Sequence, residues 1–535
     1  MKRSRVIKSE AGVNVLAPYG RYGFLLPLVL LLVAPPGAAQ VAPGQADGSG
    51  YAARCELLED LYVRDTNLLS AAIVPADGEL PEFCRLLGYV RPAINFEIRL
   101  PTSNWNGKFY MAGCGGYCGS LARAVANTTP GLRRHYAVSG MDSGHWGEDL
   151  FDGRWAYHDR QAEIDYGYRA VHETARVTKA VIGAFYGRPP EWSYFDGCSN
   201  GGRQAVMEAL RYPDDFDGLI SEAPHPKVTG TALLGAWLAR VNTGPDGQNL
   251  ITPTDLEIVR QAVYAACDHV DGLEDGLISD PRDCRFDPAG LLCAEGRDAP
   301  CLTETQVEAL EKMYDGPRDS TGRRLYSGLP LGSEPYWSRW VVGKTADGSD
   351  DVALRQSLQF LRYMAFRQDP GEDYTLADVD FDSDPQRLEK LAHIYNVDDP
   401  DLGAFRESGG KLLMLHSWAD AGPPPMETTA YYEAVESAIG SRDRTQEFFR
   451  LFMVPGMDHC GIGEGPGIRG DGYDPLTALE LWVEEGEAPA SLMMTKTTST
   501  GEVLWTRPIC PYPQRAAYKG GGAANDASSF ECVSP

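Results

Sequence analysis

Five consecutive residues, Gly197-Cys198-Ser199-Asn200-Gly201, constrain this chain more than any other feature. They fit the pattern G-x-S-x-G. A short apolar run at 193–196 leads in, and a helical pattern at 203–212 leads out. A strand, a tight turn and a helix in that order lift the serine oxygen clear of a sheet edge. The flanking glycines let strand and helix approach one another, and the amide of Asn200 is aimed where an oxyanion would form. Such a turn needs a parallel sheet around it.

The flanking sequence supplies that sheet. Residues 96–100 alternate apolar and polar, 108–112 form a short apolar strand ending in glycines, and 136–140 form another. Residues 168–186 have apolar positions at helical spacing and stop at Gly187-Arg188-Pro189-Pro190. From about 225 to 405 the rhythm changes to helical patterns, acidic loops and many Gly, Asp and Pro residues. Strand-like runs return at 411–415 and 449–454. Alternation of this kind predicts a mostly parallel sheet covered by helices. The expected class is α/β, an α/β-hydrolase fold with a large inserted lid domain. Its first part is 40–224, the lid 225–405 and its second part 406–535.

A serine hydroxyl is a weak nucleophile at neutral pH and needs a base. On this fold the chain order is serine, acid, histidine. The run 411–415 leads into His416-Ser417-Trp418-Ala419-Asp420, and 449–454 leads into Pro455-Gly456-Met457-Asp458-His459-Cys460. Asp420 and His459 thus fall at carboxyl ends of strands, where open α/β sheets gather their sites. Among nine histidines, His459 is preferred as base for order and loop position, with His416 its main rival. Asp458 and Asp142 are the alternative acids.

Charge and cysteines bound the setting. The 535 residues carry a formal net charge of -26, which repels polyphosphates, so no nucleic-acid partner is expected. Lys2, Arg3, Arg5, Lys8 and Arg21 precede an apolar run at 24–34, then Pro35-Pro36-Gly37-Ala38-Ala39. That is the layout of a signal peptide over 1–39, and the run is too short to cross a bilayer comfortably. The expectation is a secreted or periplasmic protein without a membrane partner. An even count of 12 cysteines suits an oxidising compartment.

At this point the chain resembles the tannase and feruloyl esterase family, which includes a hydrolase of mono(2-hydroxyethyl) terephthalate. The resemblance rests on Phe185-Tyr186-Gly187, Ser193-Tyr194-Phe195, Gly197 to Arg203, Phe216-Asp217-Gly218, Pro455 to Cys460 and Trp482-Val483-Glu484. Its hallmark is one cysteine beside the serine and another beside the histidine. It implies a Cys198–Cys460 disulfide, and pairs Cys55 with Cys84, Cys267 with Cys284, Cys293 with Cys301 and Cys510 with Cys532. Cys114 and Cys118, a departure from the family pattern, are left for each other. The amide of Gly116 is implied to complete an oxyanion hole with that of Asn200.

The resemblance carries further. Cys267 to Leu277 concentrates carboxylates between glycines. Asp268, Asp271 and Asp275, with the carbonyls of Leu273 and Leu277, would make an oxygen cage for a structural Ca²⁺, although acidic loops are commonly just solvated. The spacing matches the family's calcium loop. Trp340 matches an aromatic that holds the substrate ring. After Asp420 the chain reads Ala421-Gly422-Pro423-Pro424-Pro425 and lacks the phenylalanine of the terephthalate enzyme. The implied activity is a carboxylic ester hydrolase acting on a small aromatic ester, feruloyl or galloyl, with the terephthalate monoester as the alternative. Two rivals stand beside it: a serine peptidase, and an inert secreted binding protein on a hydrolase scaffold.

Overall fold

The computed structural model describes residues 48–294, 300–343, 351–461, 473–498 and 500–535. The expected signal peptide lies outside them. The described residues form one compact unit.

Nine strands make one sheet: β1 Thr66–Val74, β2 Phe83–Val90, β3 Ile94–Pro101, β4 Lys108–Ala112, β5 Ala137–Met141, β6 Trp192–Cys198, β7 Gly218–Glu222, β8 Lys411–Ser417 and β9 Phe449–Val454. Their spatial order is β1-β2-β3-β5-β4-β6-β7-β8-β9. The first three pairings, through β3 with β5, are antiparallel. From β5 across to β9 every pairing is parallel. The central strands are almost wholly buried, and β4 and β8 carry the unbroken apolar runs Phe109–Ala112 and Leu412–Leu415, as strands covered on both faces do. Leu412 to Ser417 are all buried, whereas β1 is half exposed. Because β6 to β9 run parallel, the residues after Cys198, Glu222, Ser417 and Val454 all emerge at one edge of the sheet.

Between β7 and β8 the chain leaves the sheet and forms helices, including Val228–Asn242, Pro253–Cys267, Glu304–Asp315, Val352–Tyr363 and Asp384–Tyr395. Part of this excursion shares the core of the sheet, through Val228, Ala232, Phe360, Leu361, Leu388 and Tyr395. The rest builds a second apolar cluster around Leu238, Val259, Val263, Leu310, Met313 and Trp337. Two hairpins follow the sheet, β10 Leu492–Thr497 with β11 Val503–Ile509, and β12 Arg515–Tyr518 with β13 Phe530–Val533.

All 12 cysteines pair. The bonds are Cys55–Cys84, Cys114–Cys118, Cys198–Cys460, Cys267–Cys284, Cys293–Cys301 and Cys510–Cys532.

Candidate active site

Ser199 is the last non-helical residue between β6 and the helix Asn200–Arg211, and its backbone sits at φ 63° and ψ -121°. That region is costly for a residue with a Cβ and is tolerated only where the surroundings enforce it. Here they do. A Cβ on Gly197 would stand 2.5 Å from the carbonyl carbon of Gly201, and one on Gly202 would stand 2.3 Å from the Glu222 oxygen. Strand and helix are therefore held too close for any side chain at those positions. The Ser199 amide donates to the Glu222 carbonyl at 2.9 Å, tying the turn to β7.

Asp420 and His459 meet beside this turn. His459 Nδ1 lies 2.7 Å from Asp420 Oδ2, with the carboxylate fully buried. His416 is also fully buried; its Nε2 lies 3.1 Å from the same oxygen and its Nδ1 2.7 Å from Thr428 Oγ1. The rival histidine thus braces the acid. Burial alone would raise the Asp420 carboxyl, but His459 and His416 outweigh it and hold it well below the usual range. The Gly422 amide donates to Asp420 Oδ1 at 2.8 Å.

The two alternative acids are engaged elsewhere. Asp458 accepts from Trp340 Nε1 at 2.9 and 3.1 Å, and burial, then the Asp420 charge, push it up to about 6. Asp142 accepts from the Asn95 side chain and from the Gly144 amide, away from the serine. Trp340 packs edge-on against His459, with ring centroids 5.2 Å apart.

A second loop approaches Ser199 from β4. Gly116 adopts φ +57°, and a Cβ there would stand 2.4 Å from the Leu150 oxygen, so only glycine fits. Neither its amide nor that of Asn200 donates to a protein acceptor among the described residues. The Asn200 side chain donates to the Cys114 carbonyl at 3.1 Å and to Cys118 Sγ at 3.2 Å. Arg203, fully buried, donates from Nε to Asn200 Oδ1 at 2.7 Å. Its other nitrogens reach the carbonyls of Gly167, Tyr395 and Tyr166. The Cys114–Cys118 disulfide, with Cα atoms 5.3 Å apart, is thus part of the scaffold that orients Asn200. Cys198–Cys460 spans a sequence separation of 262 and joins the serine turn to the histidine loop.

Ser199, His459, Gly116 and both disulfides line one cavity of roughly 400 Å³, together with Leu150, Phe151, Arg339, Trp340 and Gln356. That volume holds a small organic molecule. A hydroxyl, an imidazole and a buried carboxylate in this order can carry out acyl transfer, with the unengaged amides receiving negative charge.

The model of tannase and feruloyl esterase matches residues 82–533. The chain belongs to the tannase and feruloyl esterase family. It is 33% identical to mono(2-hydroxyethyl) terephthalate hydrolase of Piscinibacter sakaiensis, over 87% of each chain. It is also 33% identical to a probable feruloyl esterase of Arthroderma benhamiae, over 80% of each. Among solved structures, feruloyl esterase B from Aspergillus oryzae superposes with a TM-score of 0.80 at 28% identity, covering 90% of this chain and 100% of that one. Tannin acyl hydrolase from Aspergillus niger, at 21% identity and a TM-score of 0.72, shares the fold. This family member is a carboxylic ester hydrolase with the α/β-hydrolase fold.

The acidic loop lies apart from that cavity. Asp268 accepts from the Gly276 amide at 3.0 Å, Asp271 from the Leu273 amide at 3.0 Å, and Asp275 from the Leu277 amide at 3.2 Å. Asp275 also pairs with Arg507 at 2.6 Å. Burial, and then the Asp275 charge, raise Asp268; burial, offset in part by Ser279, raises Asp271 as well. Among the described residues, no group of three or more His, Cys, Asp or Glu side chains is gathered tightly enough to hold a metal.

Two functional neighbours of Ser199 escape the sequence patterns. Arg203 is visible in the family motif but has no assigned task until its partners are seen. His225 lies 3.4 Å from Ser199 Oγ through Nε2. Among the described residues, no hydrogen bond joins Ser199 to His459. The available clue to His225 was position alone: Pro224-His225-Pro226 directly follows β7, at the sheet edge where sites collect.

Proposed function

We propose that this family member cleaves aromatic carboxylic esters through a serine acyl-enzyme. Ser199 Oγ attacks the ester carbonyl carbon while His459 Nε2 takes its proton. Asp420 orients His459 through Nδ1 and stabilises the imidazolium that forms. The amides of Asn200 and Gly116 receive the charge on the carbonyl oxygen. His459 then protonates the departing alcohol, and a water repeats the sequence to release the acid. The short His459–Asp420 contact beside the Ser199 turn is the observation that carries the serine route. Apo serine–histidine contacts are commonly loose and tighten with substrate.

The aromatic preference is supported by the wall of the cavity, where Trp340 leans on His459 and Leu150 and Phe151 add apolar surface. Feruloyl and galloyl esters are placed ahead of the terephthalate monoester, because Ala421 to Pro425 replace the phenylalanine segment of that enzyme. The terephthalate relative keeps the monoester as the second reading. Methyl ferulate, methyl gallate and mono(2-hydroxyethyl) terephthalate assayed side by side should rank in kcat/KM with the terephthalate ester last. A marked preference for short aliphatic esters would defeat the aromatic reading. Failure of a fluorophosphonate to label Ser199 would defeat the serine route.

We propose further that the loop of Asp268, Asp271 and Asp275, with the carbonyls of Leu273 and Leu277, binds Ca²⁺ as a structural ion. Support comes from the Asp268 and Asp271 carboxylates, both raised within one disulfide-pinned loop, where a divalent cation would relieve burial and the repulsion from Asp275. The ion would have to draw the carboxylates inward and compete with Arg507 for Asp275. It supplies no step of the reaction. Export to a secreted or periplasmic location is in keeping with the six disulfides.

A further inference from the structure

Two histidines, not one, stand at Ser199. His225 is held between Pro224 and Pro226, whose rings restrict the backbone on either side. The Ala223 amide donates to the Leu415 carbonyl at 2.8 Å, and the Val397 amide donates to that of Pro226 at 2.8 Å. The segment is thus clamped between β8 and the end of the helical excursion. His225 is only 6% exposed, and it lines the same cavity as Ser199 and His459. Its ring stands perpendicular to that of His459, with centroids 5.8 Å apart.

His225 is unsuited to be the base. The titratable and charged groups facing it are His459, Asp420, His416 and Arg203, and among the described residues no carboxylate bonds to its ring. Burial first, then His459, push it down to about 3, so it stays uncharged across the working range. In the acyl-enzyme reading the single proton of the Ser199 hydroxyl goes to His459 Nε2. Oγ can then only accept from His225, which places the ring proton of His225 on Nε2.

We propose that His225 donates a hydrogen bond from Nε2 to Ser199 Oγ, and that its chief effect is to stabilise this oxygen as it leaves the acyl-enzyme. In deacylation, water adds to the acyl carbon and gives a proton to His459. The bond from that carbon to Oγ then breaks, the electron pair stays on Oγ, and His459 returns the proton to it. His225 transfers no proton; its N–H meets the negative charge growing on Oγ. During acylation the same oxygen is the attacking atom, and a donor to it lowers its nucleophilicity while easing loss of its proton. Those two effects oppose one another, whereas in deacylation the donor draws electrons from the ester oxygen, which opens the acyl carbon to water, and also stabilises Oγ as it leaves.

This inference rests on the acyl-enzyme reading, and one experiment separates the two. Pre-steady-state hydrolysis of 4-nitrophenyl acetate is followed in wild type, His225→Leu and His225→Gln, with each preparation normalised to sites titrated by a fluorophosphonate. His225→Leu should slow deacylation about 10²-fold, the usual loss for one such donor, and acylation less than about tenfold. The nitrophenol burst should then approach one per site, followed by a slow steady state. His225→Gln, which keeps an N–H donor, should recover most of the deacylation rate, and the acid limb of the pH profile should not move in either variant. Equal slowing of both steps, unchanged rates per titrated site, or Leu and Gln variants that behave alike would overturn the role of His225. A wild type with neither burst nor labelling would instead remove the acyl-enzyme itself.

Discussion

Around Ser199 the buried side chains of Asn200, Arg203 and Asp420 meet partners, whereas in the loop from Asp268 to Asp275 like charges crowd one another. Arg203 satisfies Asn200 and three carbonyls, and Asp420 is shared by two histidines. Both regions are stapled, one by Cys198–Cys460 and the other by Cys267–Cys284. The difference lies in what carries the geometry. At the sheet edge, packed strands and directed hydrogen bonds pre-set it, so a lost partner leaves a buried group stranded. In the acidic loop the carboxylates lean on backbone amides and on Arg507, an arrangement that an ion can remake.

The comparison breaks most sharply at the sheet edge. Ser199→Ala and His459→Ala should each lower turnover of a simple aryl ester on the order of 10⁶-fold. Near wild-type turnover by His459→Ala would show that the base is misassigned. Asp420→Asn should cost about 10⁴-fold, since it withdraws the charge that orients His459, and His416→Gln should cost less because it only braces the acid. Equal losses in the two variants would mean that His416 does more than brace.

Stability tests follow in decreasing size. Replacing Cys198 and Cys460 together by serine should destabilise the fold by about 2–5 kcal/mol in denaturant titrations. An unchanged midpoint would show that packing alone holds the serine turn to the histidine loop. In the acidic loop, excess chelator should lower the melting temperature and added Ca²⁺ restore it, by about 2.7 kcal/mol when the ion stands at a hundred times its dissociation constant. An unchanged melt with no calcium by elemental analysis would leave that loop as a hydrogen-bonded turn.

The smallest effect concerns Asp458. Burial, and then the Asp420 charge, push this carboxyl up to about 6, above its ordinary 3.8, so the folded state binds the proton more tightly. Wild type therefore gains stability from this group as pH falls from about 6 to about 4, and carries a cost above that window. Asp458→Asn should lack that rise and be no less stable near pH 8, a difference on the order of 1–2 kcal/mol after screening. Parallel stability curves for the two proteins between pH 4 and pH 8 would contradict the raised carboxyl.

Much of the central sheet was legible. The runs expected at 108–112 and 449–454 coincide with β4 and β9, and the helix expected at 168–186 ends where Gly187 turns left-handed at φ 78°. Buried parallel strands are short and apolar, and their ends are marked by glycine and proline. β1 and β2 escaped notice for the opposite reason. β1 is half exposed and its register slips between Leu68 and Ser70, which blurs the period of two. The terminal hairpins β10 to β13 are equally mixed.

By itself the sequence determined the fold class, the serine turn, the order Ser199, Asp420, His459 and the cysteine hallmark, because each is written in local spacing or in chain order. Only the tertiary structure decided that His416 and His459 share one carboxylate, that Trp340 caps Asp458, that Arg203 holds Asn200 and that His225 reaches the serine. Arg203 and Asn200 share one helix, but Arg203 is fixed by the carbonyls of Gly167, Tyr395 and Tyr166, and the other contacts likewise bring together separate segments. Their distance is set by how strands align and helices pack, and that is a property of the whole folded chain.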